Sequence, residues 1–475
     1  MTSPMPPYPE YKASGVPWLG DVPAKWRLLR GKWLFKAAKI INTERKFSNV
    51  LSLTLRGVVN NDIDHPEGLV PKDYATYQYF AAGDLVFKLI DLENLRTSRV
   101  GIVHQDGIMS PAYIRLTPVH NGAQRYFFHQ YYDLYQRGIY NQLGAGVRST
   151  LTAEDLLDVP VLLPPLDEQQ AIVRYLDHID RRVRRYIRAQ QRLLALLHEQ
   201  KQAIIHQAVT RGLDASAPLK PSGVVWLGEV PAHWEVWQVA HFAKVGNGST
   251  PSRSNPGYWS RGEYPWLNSA SVNHGRITAS DQYVTDLALK ECHLPIVNPG
   301  SILIAITGQG KTRGTAALLE MEATINQHIA FITPRSSRVL PDYLLLFLRA
   351  AYADLRRISD DAGGTKGALT CEDIKHYKIL VPPLGEQRSL VETVRHQTER
   401  IDFVMHRTQR EIDLIREYRT RLIADVVTGK VDVRAVAAAL PVEAVEDTVW
   451  AEGEGEHEGE EVGEEELQRM QTGNG

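Results

Sequence analysis

The stretch AITGQGKT, residues 305–312, has the most overt chemical potential in the chain. It follows the apolar run Ile302–Ile304 and sets glycine, lysine and threonine where a phosphate-cradling loop would hold them. Such a loop wraps phosphates in backbone amides and requires glycine at its first position. Ala305 stands there instead, although the following RGTAALLEMEA could be helical. An internal comparison decides the matter. Gly300 opens GSILI 69 residues before Leu369, and Gly83 opens GDLVF 68 residues before Leu151. Downstream, SPAYIRLTP (110–118) aligns with NQHIAFITP (326–334). Between these landmarks KLIDLENLRTSR stands where AITGQGKTRGT stands in the other half, and it has no glycine. Both segments therefore read as turns between strands that carry basic and polar side chains. A nucleotide site is not expected.

A second stretch, MPPY (5–8), has the Pro-Pro-aromatic form used by adenine-N6 methyltransferases. Met5 stands where that motif needs Asn, Asp or Ser to hold the amino group, and no glycine-rich S-adenosylmethionine loop accompanies it. No catalytic triad, spaced metal ligands or carboxylate pair is recognisable, so the chain reads as non-catalytic. Cys292 and Cys371 lack metal or redox spacing and, without a secretory signal, read as free thiols in a reducing, cytoplasmic setting. No apolar run reaches the length of about 18 residues that a membrane helix needs.

The net charge of −2 conceals an asymmetry. Residues 443–475 carry 12 Asp+Glu and one basic residue, Arg469, leaving 53 Lys+Arg against 44 Asp+Glu, or +9, on the rest. The tail has almost nothing to bury and is expected to be disordered. A basic body permits nucleic-acid binding without establishing it.

These residues must be positioned by something that repeats. SGVPWLGDVPAKW (14–26) and SGVVWLGEVPAHW (222–234) agree at ten of thirteen positions, offset by 208. LTAEDLLDVPVLLPPLDEQQ (151–170) and LTCEDIKHYKILVPPLGEQR (369–388) agree at ten of twenty, offset by 218. Segments 27–150 and 235–368 between these blocks differ in length by ten residues and show little identity. A repeated frame around unlike inserts suggests one architectural task done twice with different recognition; drift after an old duplication is the alternative.

After Pro164-Pro165 and Pro382-Pro383 a helix can start, with Asp167, Glu168 and Glu386 favoured in its first turn by the helix dipole. Ile172, Leu176, Ile179, Val183, Tyr186, Leu193, Leu197, Ile204 and Ala208 then follow a 3–4 alternation. Leu390, Val394, Ile401, Val404, Ile415, Leu422 and Val426 keep the same frame. That is a coiled-coil seam. Each helix should run about 43 residues, roughly 65 Å, and pair antiparallel with its twin. Gln190 and Thr408 are equivalent polar seam residues that would set register near a pseudo-two-fold axis. DRRVRRYIRAQQR (180–192) carries six arginines, of which Arg181, Arg185, Arg188 and Arg192 share a face. That face is either solvated or a contact for a DNA backbone or an acidic partner helix.

Taken together, the paired Trp-Leu-Gly blocks, the Gly-Asp-Leu-Val-Phe strand with SPAYIRL, the two Leu-Pro-Pro-Leu-x-Glu-Gln frames and LIADVVTGKVDVR resemble the specificity (S) subunits of type I restriction-modification systems. The resemblance covers about residues 14–434 and excludes the acidic tail. It implies an α+β chain: two tandem mixed α/β, strand-rich target-recognition domains separated by two long helices in an antiparallel coiled coil, with a pseudo-two-fold internal repeat. It further implies that each domain reads half of a bipartite, asymmetric target in double-stranded DNA while the helices fix the gap. The partners would be two methyltransferase (M) subunits and two restriction/translocase (R) subunits. S-adenosylmethionine, ATP and Mg would belong to those partners and none to this chain, with no role at a membrane.

The expected division is 1–150 and 215–368 for the recognition domains, 151–214 and 369–434 for the Pro-Pro-Leu blocks with their helices, and 435–475 for the tail. In the first half, the turn with Lys88, Arg96, Ser98 and Arg99, then Ser110, Tyr113 and Arg148, supplies candidate DNA contacts. In the second, Asn268, Asn273, Lys311, Arg313, Asn326, Gln327, His328 and Lys366 do so. For any one of them an ordinary surface role is the competing reading. Arg313 is the candidate guanine reader. Trp18, Trp26, Trp226 and Trp234 should pack the domain bases against the helices. Two rival functions stay open: a recognition subunit whose partner fuses methylation and cleavage, and a coiled-coil adaptor with no DNA role.

Overall fold

Strands form where turn residues bracket short apolar runs, and the same runs form them in both halves. The computed structural model describes residues 5–54, 57–61, 73–89, 92, 99–120, 122, 124–143, 150–308, 311–361 and 367–441. These divide into two compact units, 5–192 with 408–441 and 193–407. Each unit thus holds one part of each long helix.

The first unit's central sheet orders Phe35–Ala37, Ile114–Pro118, Leu85–Lys88 and Arg99–Ile102, all antiparallel. The second orders Ala243–Asn247, Ile329–Pro334, Ile302–Ala305, Ala316–Leu319 and Arg276–Ile277, the last pair parallel. The registers coincide: Leu116 faces Leu85 as Ile332 faces Ile302. The alignment of GDLVF with GSILI is therefore physical. It also disposes of the phosphate loop. The segment after AITGQGKT is not a helix but the strand Ala316–Leu319, which turns back antiparallel on Ile302–Ala305. A hairpin offers no helix N-terminus to a phosphate.

The frame around each sheet repeats as closely. Arg27–Arg30 pairs with Pro160–Leu163, and Glu235–Gln238 with Lys378–Val381. Short helices Ala153–Asp158 and Cys371–His376 each open on a reciprocal capping box, Thr152 with Asp155 and Thr370 with Asp373. The strand then runs through Pro-Pro into a long helix, Leu166–Arg211 or Leu384–Val427, of 46 and 44 residues. The Gln of each motif fixes this corner. Gln169 Nε2 donates to Pro164 O, and Gln387 Nε2 to Pro382 O, each at 2.8 Å and buried. Gln387 also donates to Arg338 O and accepts from Leu340 N.

Trp26 and Trp234 are wholly buried against these helices. Trp26 packs in a core with Leu422, Val426 and Val427, and its Nε1 donates to Glu168 at 3.0 Å. Trp234 packs with Val209 and Leu390, and Trp226 lies against Phe347 and His206. Trp18 packs at the edge of the first core, as expected of these blocks.

Within each unit the helix parts run antiparallel. In the first, Asp180 pairs with Arg419 at 2.5 Å and Tyr186 Oη donates to Glu411 at 3.2 Å, so the partner number falls as the first helix advances. In the second, Lys201 pairs with Asp402. Arg419 and Lys201 are repeat equivalents. The seam departs from expectation at Tyr186 and Leu193, which are 40% and 39% exposed, while Ile187 and Leu194 turn inward. A 3.6-residue helix drifts about 20° per heptad from a 3.5 repeat, enough to move the face by one residue.

The tail assigned from 435 begins later. Arg434–Ala439 is a helix whose Ala437, with Val433 before it, is buried in the first unit's core. Residues 442–475 lie outside the described residues. No helix among the described residues is long and apolar enough to cross a membrane.

Candidate nucleic-acid interface

Among the described residues, candidates of each unit lie at one end of the central sheet, where its hairpin turns. In the first, Lys88 faces Arg99 across the last pair of that hairpin. Tyr113 precedes Ile114, which faces Phe87, so it falls beside Lys88. The loop leading into Tyr113 is held by Gln78, buried, whose Nε2 donates to Ser110 O at 3.1 Å and Tyr113 O at 2.6 Å. Ser110 Oγ accepts from Ala112 N. Lys88, Arg99, Ser110 and Tyr113 are thus brought together, each half-buried. Arg96, Ser98 and Arg148 lie outside the described residues.

Within the same sheet, Arg115 and Asp84, which precedes Leu85 at the end of the strand away from Lys88, form an almost fully buried ion pair at 2.6 Å. Arg115 also lies over the Tyr79 ring, which stacks on Phe47 at 4.1 Å. Tyr79 Oη donates to Asp106, and that bond, with burial, pushes its hydroxyl up to about 12. The network ties Arg115 to the 81–84 turn at the far end of the strand; a buried charge this well paired specifies geometry more than it adds stability.

In the second unit the equivalent end carries a connected polar chain. Thr307 Oγ1 bonds His328 Nδ1 at 2.8 Å, His328 Nε2 bonds Gln327 Nε2 at 3.1 Å, and Thr250 Oγ1 donates to Gln327 Oε1 at 2.5 Å. Because Gln327 Nε2 is a donor, His328 Nε2 accepts there and Nδ1 carries the proton toward Thr307. Gln327 and Lys311 are exposed. Asn268 lies close by, since Leu267 and Ile325 are parallel partners and Asn326 N donates to Leu267 O.

Two candidates serve the frame instead of facing outward. Asn326 is buried and its Oδ1 accepts from His328 N at 3.0 Å, shaping the turn that presents Gln327. Arg313 is 5% exposed and bonds Asp360 and Gly367 O. Its guanidinium ties the hairpin turn, which bonds back to Ala305 through Gly314 N, to the segment carrying Asp360 and Gly367. Asn268 caps the 3-10 turn Ser269–His274 through Ala270 N, and Asn273 is exposed on that turn. Lys366 lies outside the described residues.

Sequence reading missed Thr250, Thr307 and Arg253. Arg253 lies 3.7 Å above the Trp259 ring and 5.0 Å from Trp266, with Nη2 donating to Gln282 at 2.7 Å. Such a planar cation stacked between aromatics is held rigidly. The loop carrying Thr250 and Arg253 passes so close to the strand Thr324–Ile325 that a Cβ on Gly248 would meet Ile325 O at 1.7 Å. The polar run GNGSTPSRSNPGYW was the available signal.

Donor-rich ends of this kind suit groove recognition, where Asn, Gln and Arg read base edges and Lys and Arg hold phosphates. Comparison with known proteins points the same way. The family model described as the Type I restriction modification DNA specificity domain matches residues 36–191 and 231–412. The putative type I restriction enzyme MjaX specificity subunit of Methanocaldococcus jannaschii is 21% identical over 432 residues, 88% of this chain and 96% of that one. The type I restriction enzyme EcoR124I/EcoR124II specificity subunit of Escherichia coli is 24% identical over 188 residues, 39% of this chain. That match spans 45% of the E. coli subunit's length. A chain from a solved structure on complex assembly and conformational transition of the type I R-M system covers 86% of this chain and 99% of its own length, at 18% identity and a TM-score of 0.59.

Proposed function

We propose, from the premise that this chain belongs to the type I restriction modification DNA specificity family, that it reads a bipartite, asymmetric sequence with one unit on each half-site. One observation carries this reading: two sheets of identical register end in chemically unlike tips. Where the first offers Lys88, Arg99 and Tyr113, the second offers Thr250, Gln327 and His328. The same frame with different donors and acceptors reads different bases at the same height of the groove. Segments 1–150 and 215–368 are the reading domains, and 151–214 with 369–434 the helical frame.

The long helices act as the ruler between half-sites. The antiparallel contacts in the first unit support a fixed register: Gln190 lies four residues past Tyr186, and Thr408, itself buried, three before Glu411. These two repeat equivalents are the residues that would set that register. The chain is a non-catalytic scaffold in the cytoplasm for two methyltransferase and two motor–nuclease subunits, which bring S-adenosylmethionine, ATP and Mg.

Exchanging residues 235–368 for the matching segment of a relative tests this reading. Methylation by the assembled complex should then change one half-site and preserve the other half-site and the gap. A change in both half-sites, or in neither, contradicts it.

A further inference from the structure

The six-arginine stretch of the first long helix has one face whose occupant the rest of the described chain does not supply. Arg174, Arg181, Arg185, Arg188 and Arg192 are spaced by seven, four, three and four residues, so at 3.6 residues per turn they form one stripe. The stripe lies opposite the buried seam residues Ile172, Leu176 and Val183. Arg185, Arg188 and Arg192 are exposed and form no ion pair with any described residue.

Two further observations say what covers it. The second helix does not repeat the stripe: its equivalent positions hold Glu392, Glu399, Phe403, His406 and Arg410, with Phe403 68% exposed. A ligand used symmetrically by both halves would require both stripes, so the occupant is present once. And the described chain ends at the foot of this stripe, where Arg174 Nη2 donates to Leu440 O. Beyond Pro441 the chain continues for 34 residues, 12 of them Asp or Glu.

We propose that this acidic C-terminal segment docks in cis along the arginine stripe of the first long helix. The reach is ample. From Arg174 to Arg192 the helix rises roughly 27 Å, which an extended chain covers in about eight or nine residues. Glu443, Glu446 and Asp447 are nearest in sequence to the foot of the stripe, and the glutamates from Glu452 onward lie further along the tail. Docking is electrostatic, so it weakens as salt rises.

The full-length Arg188→Lys chain tests this. It keeps the charge and supplies an amine for zero-length carboxyl–amine crosslinking, mapped by mass spectrometry. The expected product joins that amine to a tail glutamate at about 0.05 M salt and is lost at about 1 M, where the screening length falls to about 3 Å. In a mixture of heavy- and light-isotope chains the link should remain within one chain, and Arg185→Glu with Arg192→Glu should abolish it. No link, a link insensitive to salt, equal linking at exposed lysines off the stripe such as Lys36, or mixed-isotope links from a second copy would each overturn the proposal.

Discussion

Gln327→Ala should leave melting unchanged and weaken binding to the second half-site by about 1–3 kcal/mol, because the side chain is exposed and held only by Thr250 and His328. Arg313→Ala should do the reverse. It removes bonds to Asp360 and Gly367 O, lowering stability in urea unfolding by about 1–3 kcal/mol, while Asp360, 57% exposed, is not left as a buried charge. Equal effects of the two substitutions on binding and stability would contradict these placements. Residue type names both as candidates, yet the burial of Arg313 beside Asp360 and Gly367 is a tertiary contact that no local pattern announces. Lys88 and Tyr113, by contrast, lie side by side in strand register, a juxtaposition that the repeat makes legible. A pH effect belongs at this scale too. Burial, with Arg125 and Arg419 nearby, pushes His129 down to about 3. The imidazole stays neutral in the folded chain but takes a proton near pH 6.5 when unfolded. Its contribution is therefore present above pH 6.5 and is lost as pH falls toward 3, at about 1.4 kcal/mol per pH unit. His129→Leu should flatten that acid limb in thermal melts; a wild-type excess loss that does not grow below pH 6.5 contradicts it. Burial raises Asp177 to about 6, which works in the opposite sense as pH falls but acts in both proteins and cancels in the comparison.

The long helices were legible because Pro-Pro, an acidic first turn and a sustained apolar stripe all agree on where each begins and which face it buries. The role of the motif's Gln was not, since a side chain reaching back to the carbonyl five residues earlier leaves no periodic trace. Nor was the pairing of Asp180 and Lys201, charged residues off the apolar frame, with Arg419 and Asp402 of the other helix. The ruler makes a prediction for these elements. Deleting 187–193 together with the equivalent 405–411 shortens each helix by about 10 Å. The unspecified gap between half-sites should change by roughly three base pairs at 3.4 Å each, and the half-sites should not. Footprinting or methylation mapping that finds the original gap would contradict the ruler.

For the molecule as a whole, duplication was the most readable feature: two blocks of identity fixed both frames, and the strands between them fell into equal registers despite unlike sequence. What each unit recognises was not readable, because the polar side chains at the sheet ends are not constrained by packing against the core. The division into units was also hidden, since each takes one end of each long helix from segments distant in sequence. The central claim is that two unlike tips on one frame read one split target. Single-molecule sequencing of methylated adenines tests it most directly, comparing cells that express this chain and its adenine methyltransferase with cells lacking only this chain. The account predicts one new motif, two different short half-sites around a fixed unspecified gap. A palindromic or undivided motif, or unchanged methylation alongside an assembled complex that binds no specific DNA, would contradict it.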